Sequence, residues 1–173
     1  VPVIDIEPLV RGTRRDWARV ADEIGRAARG GGCFYIANHG IDASLQRAAY
    51  QAADDFFSLG TSEKLDVYIA KSRHHSGYVP VSERGLYPDE CGERHYEAFD
   101  SSLDLLPHQV RAGDAHLMGP NLWPHLAGFR ETTTRYFQAV SRLGWRMCRA
   151  FELHLGLDLG YFDSFMNRPT SQL

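Results

Sequence analysis

The chain has 173 residues, enough for one domain or most of one, and its 43% hydrophobic and 24% charged content is ordinary for a globular protein that buries a sizeable core. A formal net charge of −3 leaves no electrostatic footprint for nucleic acid and no basic stripe for an anionic membrane. No run approaches the ~20 apolar residues that span a bilayer, and the three cysteines, Cys33, Cys91 and Cys148, share no disulfide, metal or redox spacing, which favours a reducing cytoplasm.

Residues 1–6, Val-Pro-Val-Ile-Asp-Ile, alternate in the manner of a short opening strand and carry no basic, signal-type segment. Thr13 offers an N-cap, with Asp16 three residues on as a variant capping box. Trp17, Val20, Ile24 and Ala27 follow at helical spacing, and Gly30-Gly31-Gly32 stops that helix. Cys33-Phe34-Tyr35-Ile36-Ala37 reads as a buried strand closed by Asn38-His39-Gly40. Asp42 caps a second helix whose apolar face is Leu45, Ala49, Ala52, Phe56 and Leu59. Thr61 caps a short turn through Leu65. From about residue 67 to residue 124 the periodicity is weak, so the expectation is loop with short strands, the best of them over 96–103. Trp123-Pro124 is expected to start the longest helix, since proline suits a first turn. Its apolar face includes Phe137, Val140, Leu143, Met147 and Phe151, over about 30 residues or roughly 45 Å, and Gly156 is its natural C′ residue. A short helix over 159–166 is expected next. The last residues, 163–173, read as the run-in to a strand.

Few residues carry chemistry on their own pattern. Cys91 and His95 have a ligand-like spacing, and His74 with His75 supply further nitrogens, so a zinc site is one reading. Adjacent residues on an extended segment point to opposite faces, which favours the other reading, a polar loop with histidines lining a pocket. Gly30-Gly31-Gly32 follows a helix and precedes a strand, the reverse of a dinucleotide loop. Arg14, Arg15, Glu63 and Lys64 read as solvated surface. Ser76, Ser101 and Ser171 lack a nucleophile-elbow context.

Several motifs in order along the chain add up to a family resemblance. They are Val1-Pro2-Val3-Ile4-Asp5-Ile6; Gly32-Cys33-Phe34-Tyr35-Ile36-Ala37-Asn38-His39-Gly40-Ile41; Phe56-Phe57 with Glu63-Lys64; Gly77-Tyr78; Tyr96-Glu97-Ala98-Phe99-Asp100; and Asn121-Leu122-Trp123-Pro124 before the long helix. Together they resemble the N-terminal half of the isopenicillin N synthase-like non-haem iron(II) oxygenases, most of which depend on 2-oxoglutarate. Cys33 stands where that family commonly has phenylalanine, and Tyr96 where it has lysine. Within the best motif, Asn38 and His39 are read as turn residues that bond backbone, so His39 is structural and not a ligand.

The resemblance implies an α+β fold, with residues 1–173 the helix-rich N-terminal region of a single oxygenase domain whose double-stranded β-helix, a jelly-roll barrel, is largely missing from this chain. It places the facial triad of two histidines and a carboxylate, and the arginine that grips 2-oxoglutarate, beyond Leu173. No catalytic residue and no metal ligand is therefore assigned here, and iron(II) and 2-oxoglutarate are expected to be held by residues elsewhere. The partners implied are molecular oxygen and a small-molecule substrate. The implied substrate-side residues are Arg73, His75, Ser76 and Tyr78 in the loop over the barrel mouth, Glu97 on the following strand, and Asn167, Arg168 and Ser171 near the first barrel strand. Glu97 has an alternative on the surface, paired with Arg84 or Arg94. The implied reaction is hydroxylation, desaturation or cyclisation of a small metabolite. The alternatives are an iron-dependent oxidative cyclase that does not use 2-oxoglutarate, and a non-catalytic helical binding module.

Overall fold

In the computed structural model, which describes residues 1–81, 96–114 and 116–173, the opening alternation becomes a strand, β1 (Val3–Asp5), with Ile4 buried and Val3 and Asp5 exposed. A five-residue helix follows, α1 (Glu7–Arg11), which is too short to show a period in the sequence. The Glu7 N–H donates to Asp5 Oδ1 at 2.9 Å, and Pro8 occupies the first turn, where a missing N–H costs nothing. Helix α2 (Arg14–Gly30) begins at Thr13 as expected: the Thr13 N–H donates to Asp16 Oδ2 at 2.9 Å and its hydroxyl to the same oxygen at 2.7 Å. Val20, Ala21 and Ile24 form its buried face.

Strand β2 (Tyr35–Ala37) pairs in parallel with β1, Ile4 opposite Ile36. The expectation of a buried strand is corrected here. Tyr35 is 66% exposed and Ile36 and Ala37 are half-buried, because among the described residues the sheet has two strands only. The turn after it is as read: Asn38 and Gly40 have φ of 56° and 76°, and His39 Nδ1 accepts from the Ile41 N–H at 3.1 Å.

The described chain divides into two compact units, Val1–Gln46 with Gln138–Arg168, and Arg47–Phe137 with Pro169–Leu173. Helix α3 (Ala43–Phe57) and the 27-residue α5 (Phe129–Leu155) each contribute residues to both.

The first unit is built on Ile4, Ile6, Leu9, Val20, Ala21, Ile24, Leu143 and Ala150. Its α5 residues differ from the expected face in one respect. Leu143 is buried, but Val140, Met147 and Phe151 are half-buried and Ala150 and Glu152 are closed to solvent, so the buried stripe is rotated toward positions 150 and 152. Glu152 accepts from Arg149 at 2.7 Å, from the Gly160 N–H at 2.9 Å and from the Phe162 N–H at 3.0 Å. Burial raises the carboxyl pKa, but the Phe162, Arg149 and Gly160 bonds outweigh it and hold the group below its ordinary value. Helix α5 ends as its glycine suggests: Gly156 has φ of 69°, its N–H donates to Leu153 O at 3.2 Å, and the Leu157 N–H donates to Glu152 O at 2.8 Å, a Schellman pair. Helix α6 (Asp163–Met166) lies within the short helix expected over 159–166.

The second unit is organised around Phe56 at the end of α3. Its ring is fully buried and meets the rings of Phe57, Phe99 and Phe129 at 4.9–5.2 Å and that of Tyr78 at 6.0 Å. Helix α4 (Thr61–Asp66) is capped by Gly60 and not Thr61: Glu63 Oε2 accepts from the Gly60 N–H at 3.1 Å. Strands β3 (Gly77–Val79) and β4 (Ala98–Asp100) pair antiparallel, and just beyond β4 Ser101 exchanges backbone bonds of 3.1 and 2.8 Å with Leu173. The expected strand run-in at residues 163–173 therefore takes shape at its last residues. Helix α5 starts at Phe129, so Pro124 stands outside it and not in its first turn. Asn121 instead ties the preceding loop to Ser102, donating to its carbonyl at 2.8 Å and accepting its N–H at 3.0 Å, while the Trp123 indole donates to Asp104 at 3.1 Å.

Candidate functional site

The candidate site lies in the second unit, on the loop that leads into β3. His75, Ser76 and Tyr78 follow one another along it and into the strand, and Glu97 is bonded to Tyr78. Ser72 and Ser76 face each other through their hydroxyls at 3.2 Å, and Ser76 Oγ accepts from the Leu122 N–H at 3.0 Å. Ser76 is thus closed to solvent with its side chain engaged. His75, one residue earlier, is exposed and takes φ of 53°, a left-handed conformation uncommon for residues other than glycine. Its Nδ1 stands 4.0 Å from Asp100 Oδ2, and the Gln172 side-chain amide donates to its carbonyl at 3.2 Å. Gly77 has φ of 123° and lies so close to Val67 that a Cβ would collide with the Val67 carbonyl oxygen.

Tyr78 and Glu97 complete the cluster. The Tyr78 ring is buried and its hydroxyl donates to Glu97 Oε2 at 2.5 Å. Lys64 donates to the same oxygen at 2.7 Å. The Lys64 bond first, and then the Tyr78 bond, hold the Glu97 carboxyl below its ordinary value. Burial, assisted by the Glu97 bond and charge, pushes the Tyr78 phenol up to about 12. The sequence expectation of a solvated Lys64 is corrected: the side chain is buried and pairs with Glu97, whose alternative surface partners Arg84 and Arg94 lie outside the described residues, as do Cys91 and His95.

The remaining expected residues are placed as follows. Arg73 is exposed beside the loop, and Ser171 is exposed next to Gln172. Asn167, exposed, and Arg168, half-buried, belong to the first unit. Asp100, Gln172 and Lys64 are the residues that sequence reasoning misses. No periodicity marks them; only the positions of Lys64 and Asp100 inside family motifs give a signal.

A second feature of this unit has no counterpart in the sequence reading. An open, apolar cavity of about 260 Å³ lies between α3, α5 and β4, lined by Tyr50, Phe57, Phe99, Phe129, Tyr136 and Leu173 among others. None of the expected site residues lines it.

Among the described residues, no group of three or more histidine, cysteine, aspartate or glutamate side chains is suitably placed to hold a metal ion. His39 serves its turn and His74 Nδ1 stands 3.2 Å from the His116 carbonyl oxygen, while His154 lies between Asp22 and the Arg29 guanidinium. The described residues do not fit an iron centre.

Comparison with known proteins gives a consistent picture. A family model described as non-haem dioxygenase in morphine synthesis, N-terminal, matches residues 1–126. Isopenicillin N synthase of Streptomyces griseus is 32% identical over 174 residues, covering 96% of this chain and 51% of that protein. The 2-oxoglutarate-dependent dioxygenase citB of Monascus ruber is 30% identical over 185 residues, covering 100% of this chain and 54% of that protein. A full-length Neurospora crassa protein whose crystal structure holds alpha-KG superposes with a TM-score of 0.79 at 23% identity, over 95% of this chain and 50% of that one, a likeness of fold alone. The chain spans about half the length of the curated relatives it matches.

Proposed function

The chain belongs to the isopenicillin N synthase-like non-haem dioxygenase family, of which it carries the N-terminal part, and on that premise we propose that it is part of an iron(II)/2-oxoglutarate-dependent oxygenase acting on a small metabolite. The observation that carries the reading is the family match over residues 1–126, joined by relatives named as 2-oxoglutarate-dependent dioxygenases that align with the whole chain. Iron and 2-oxoglutarate are assigned to the whole protein and not to the described residues. The reaction is hydroxylation, desaturation or cyclisation, with molecular oxygen as the oxidant. The two unpaired cysteines described, Cys33 and Cys148, support a cytoplasmic setting.

The role assigned to this chain is to present substrate-side groups. The His75 imidazole is exposed and offers ring nitrogens to a substrate's hydrogen-bonding groups. Arg73 and Ser171 supply further donors, and Ser76 and Tyr78 shape the loop. Asn167 and Arg168, which belong to the first unit, are proposed as substrate contacts on the strength of the family resemblance alone. The test is succinate release by the full-length protein supplied with iron(II), 2-oxoglutarate, oxygen and a panel of small metabolites. Stimulation of succinate release by a metabolite supports the reading; none across the panel, with iron bound, rejects it.

A second reading is favoured by the isopenicillin N synthases among the relatives: an iron-dependent oxidative cyclase that does not use 2-oxoglutarate. Product formed with oxygen consumed but no succinate released identifies that case.

A further inference from the structure

Lys64 is an ammonium group in a nearly closed setting, with 9% of its side chain exposed. A buried charge survives only where acceptors replace water, and an apolar side chain of similar volume would fill the same space without that penalty. Here the acceptors are the Phe57 carbonyl at 3.2 Å and Glu97 Oε2 at 2.7 Å, and the Tyr78 ring centroid lies 5.4 Å from Nζ. The Tyr78 hydroxyl donates to the same Glu97 oxygen. One carboxylate oxygen therefore joins the helix α4 cation to the middle residue of β3.

That residue stands three positions after His75. Its N–H donates to the Val67 carbonyl at 2.7 Å, so β3 is also tied by its backbone to the segment just after α4. On the other side of His75, Ser76 holds the Leu122 N–H and Gln172 holds the His75 carbonyl. These bonds hold the segment on both sides of the left-handed residue. Were Glu97 to lose its place, the Tyr78 hydroxyl would lose its acceptor and β3 its side-chain tether; were it to lose its charge, that bond would be weakened.

We propose that Lys64 is a positioning residue: by holding the Glu97 carboxylate on the Tyr78 hydroxyl, it sets the segment that presents His75 to the small-metabolite substrate. This rests on the reading that the His75 loop faces the substrate.

The test uses the full-length protein with Lys64→Met, Lys64→Arg and Glu97→Gln. Amide hydrogen exchange is followed at the Tyr78 amide and, as a control, in β1 and β2. Steady-state kinetics use the metabolite selected by succinate release. Lys64→Met is expected to speed exchange at Tyr78 by about tenfold while leaving β1 and β2 unchanged. Its KM for the metabolite rises about fivefold with kcat nearly constant. Lys64→Arg restores both, because it keeps the cation, and Glu97→Gln reproduces the Lys64→Met pattern. Unchanged exchange at Tyr78, or faster exchange spread evenly over β1 and β2 with unchanged KM, overturns the proposal. If Lys64→Met does not fold, Glu97→Gln decides by the same criteria. A wild-type protein with no succinate release rejects the proposed function, whereas the exchange pattern still decides whether Lys64 positions the loop.

Discussion

His75 holds a side chain in the left-handed region, at a cost of about 1–2 kcal/mol relative to an ordinary conformation, and the loop around it is bonded on both sides. An imidazole displayed in this way fits a substrate contact. His75→Ala in the full-length enzyme is expected to weaken metabolite binding by roughly 0.5–1.5 kcal/mol, about a few-fold to tenfold, with iron affinity unchanged and more 2-oxoglutarate consumed per product. Iron and metabolite titrations on the same variant check this; a large fall in iron affinity with metabolite binding intact would contradict it. Glu97 gives a second residue-scale expectation. Its folded pKa lies below the ordinary value of 4.5, so it contributes stability that is full above that value and is lost as pH falls through the folded value. Glu97→Gln is expected to be less stable than wild type at neutral pH, with the gap closing on acidification below about 4.5. Denaturation midpoints from pH 7 to 3 measure this, and a constant gap would count against the linkage. The sequence marks His75, Tyr78 and Glu97 through their motifs. Lys64 also stands in a motif, but its burial is not legible there, because a lysine on a short helix carries the same pattern whether its head meets water or a carboxylate.

At the scale of elements, the long-period signals are readable and the short-range ones are not. Helices α2 and α5 follow from spacing and caps, since 17 and 27 residues give the period room to show. Helix α1, with five residues, gives none. The exposed face of β2 is unreadable because a short apolar run looks the same whether one or both of its faces are covered. The burial of Glu152 is likewise hidden: its partners, the Gly160 and Phe162 N–H groups, belong to a turn made only after α5 has ended. The apolar faces rank differently from the sequence expectation. Phe151, expected in the core, is half-buried, whereas Phe56 is fully enclosed by four rings. Phe56→Ala is expected to destabilise the protein by about 3–5 kcal/mol, the range for a buried phenylalanine, and Phe151→Ala by clearly less. Urea denaturation of the two variants gives the comparison; equal losses would mean that the rotated stripe on α5 is misplaced.

For the whole molecule, the motifs and the chemistry sit in different places. The opening Pro2–Ile6 segment, the Asn38-His39-Gly40 turn and the Asn121–Trp123 loop are each accounted for by backbone bonds, turns or packing within this chain. Their order along the sequence is what makes the family recognisable, while the jobs they do are structural. The apolar cavity has no sequence signature because its lining comes from α3, β4, α5 and Leu173, brought together only by folding. Chemistry asks for something these motifs do not hold: three ligands around one point. Among the described residues the histidines are spread over turns and helix faces, and no three suitable donors converge. Stable non-haem iron binding needs that convergence, with open positions left for substrate and oxygen. The 173-residue chain by itself is therefore expected to bind iron(II) weakly and to release no succinate from 2-oxoglutarate, and the proposed full-length oxygenase is expected to bind iron(II) tightly and to release succinate. Iron titration by calorimetry alongside a succinate assay on the two proteins measures the difference. Tight stoichiometric iron binding with succinate release by the 173-residue chain would place the ligands within it. His95 and Cys91 would then be the first residues to substitute, because they have a ligand-like spacing and lie outside the described residues.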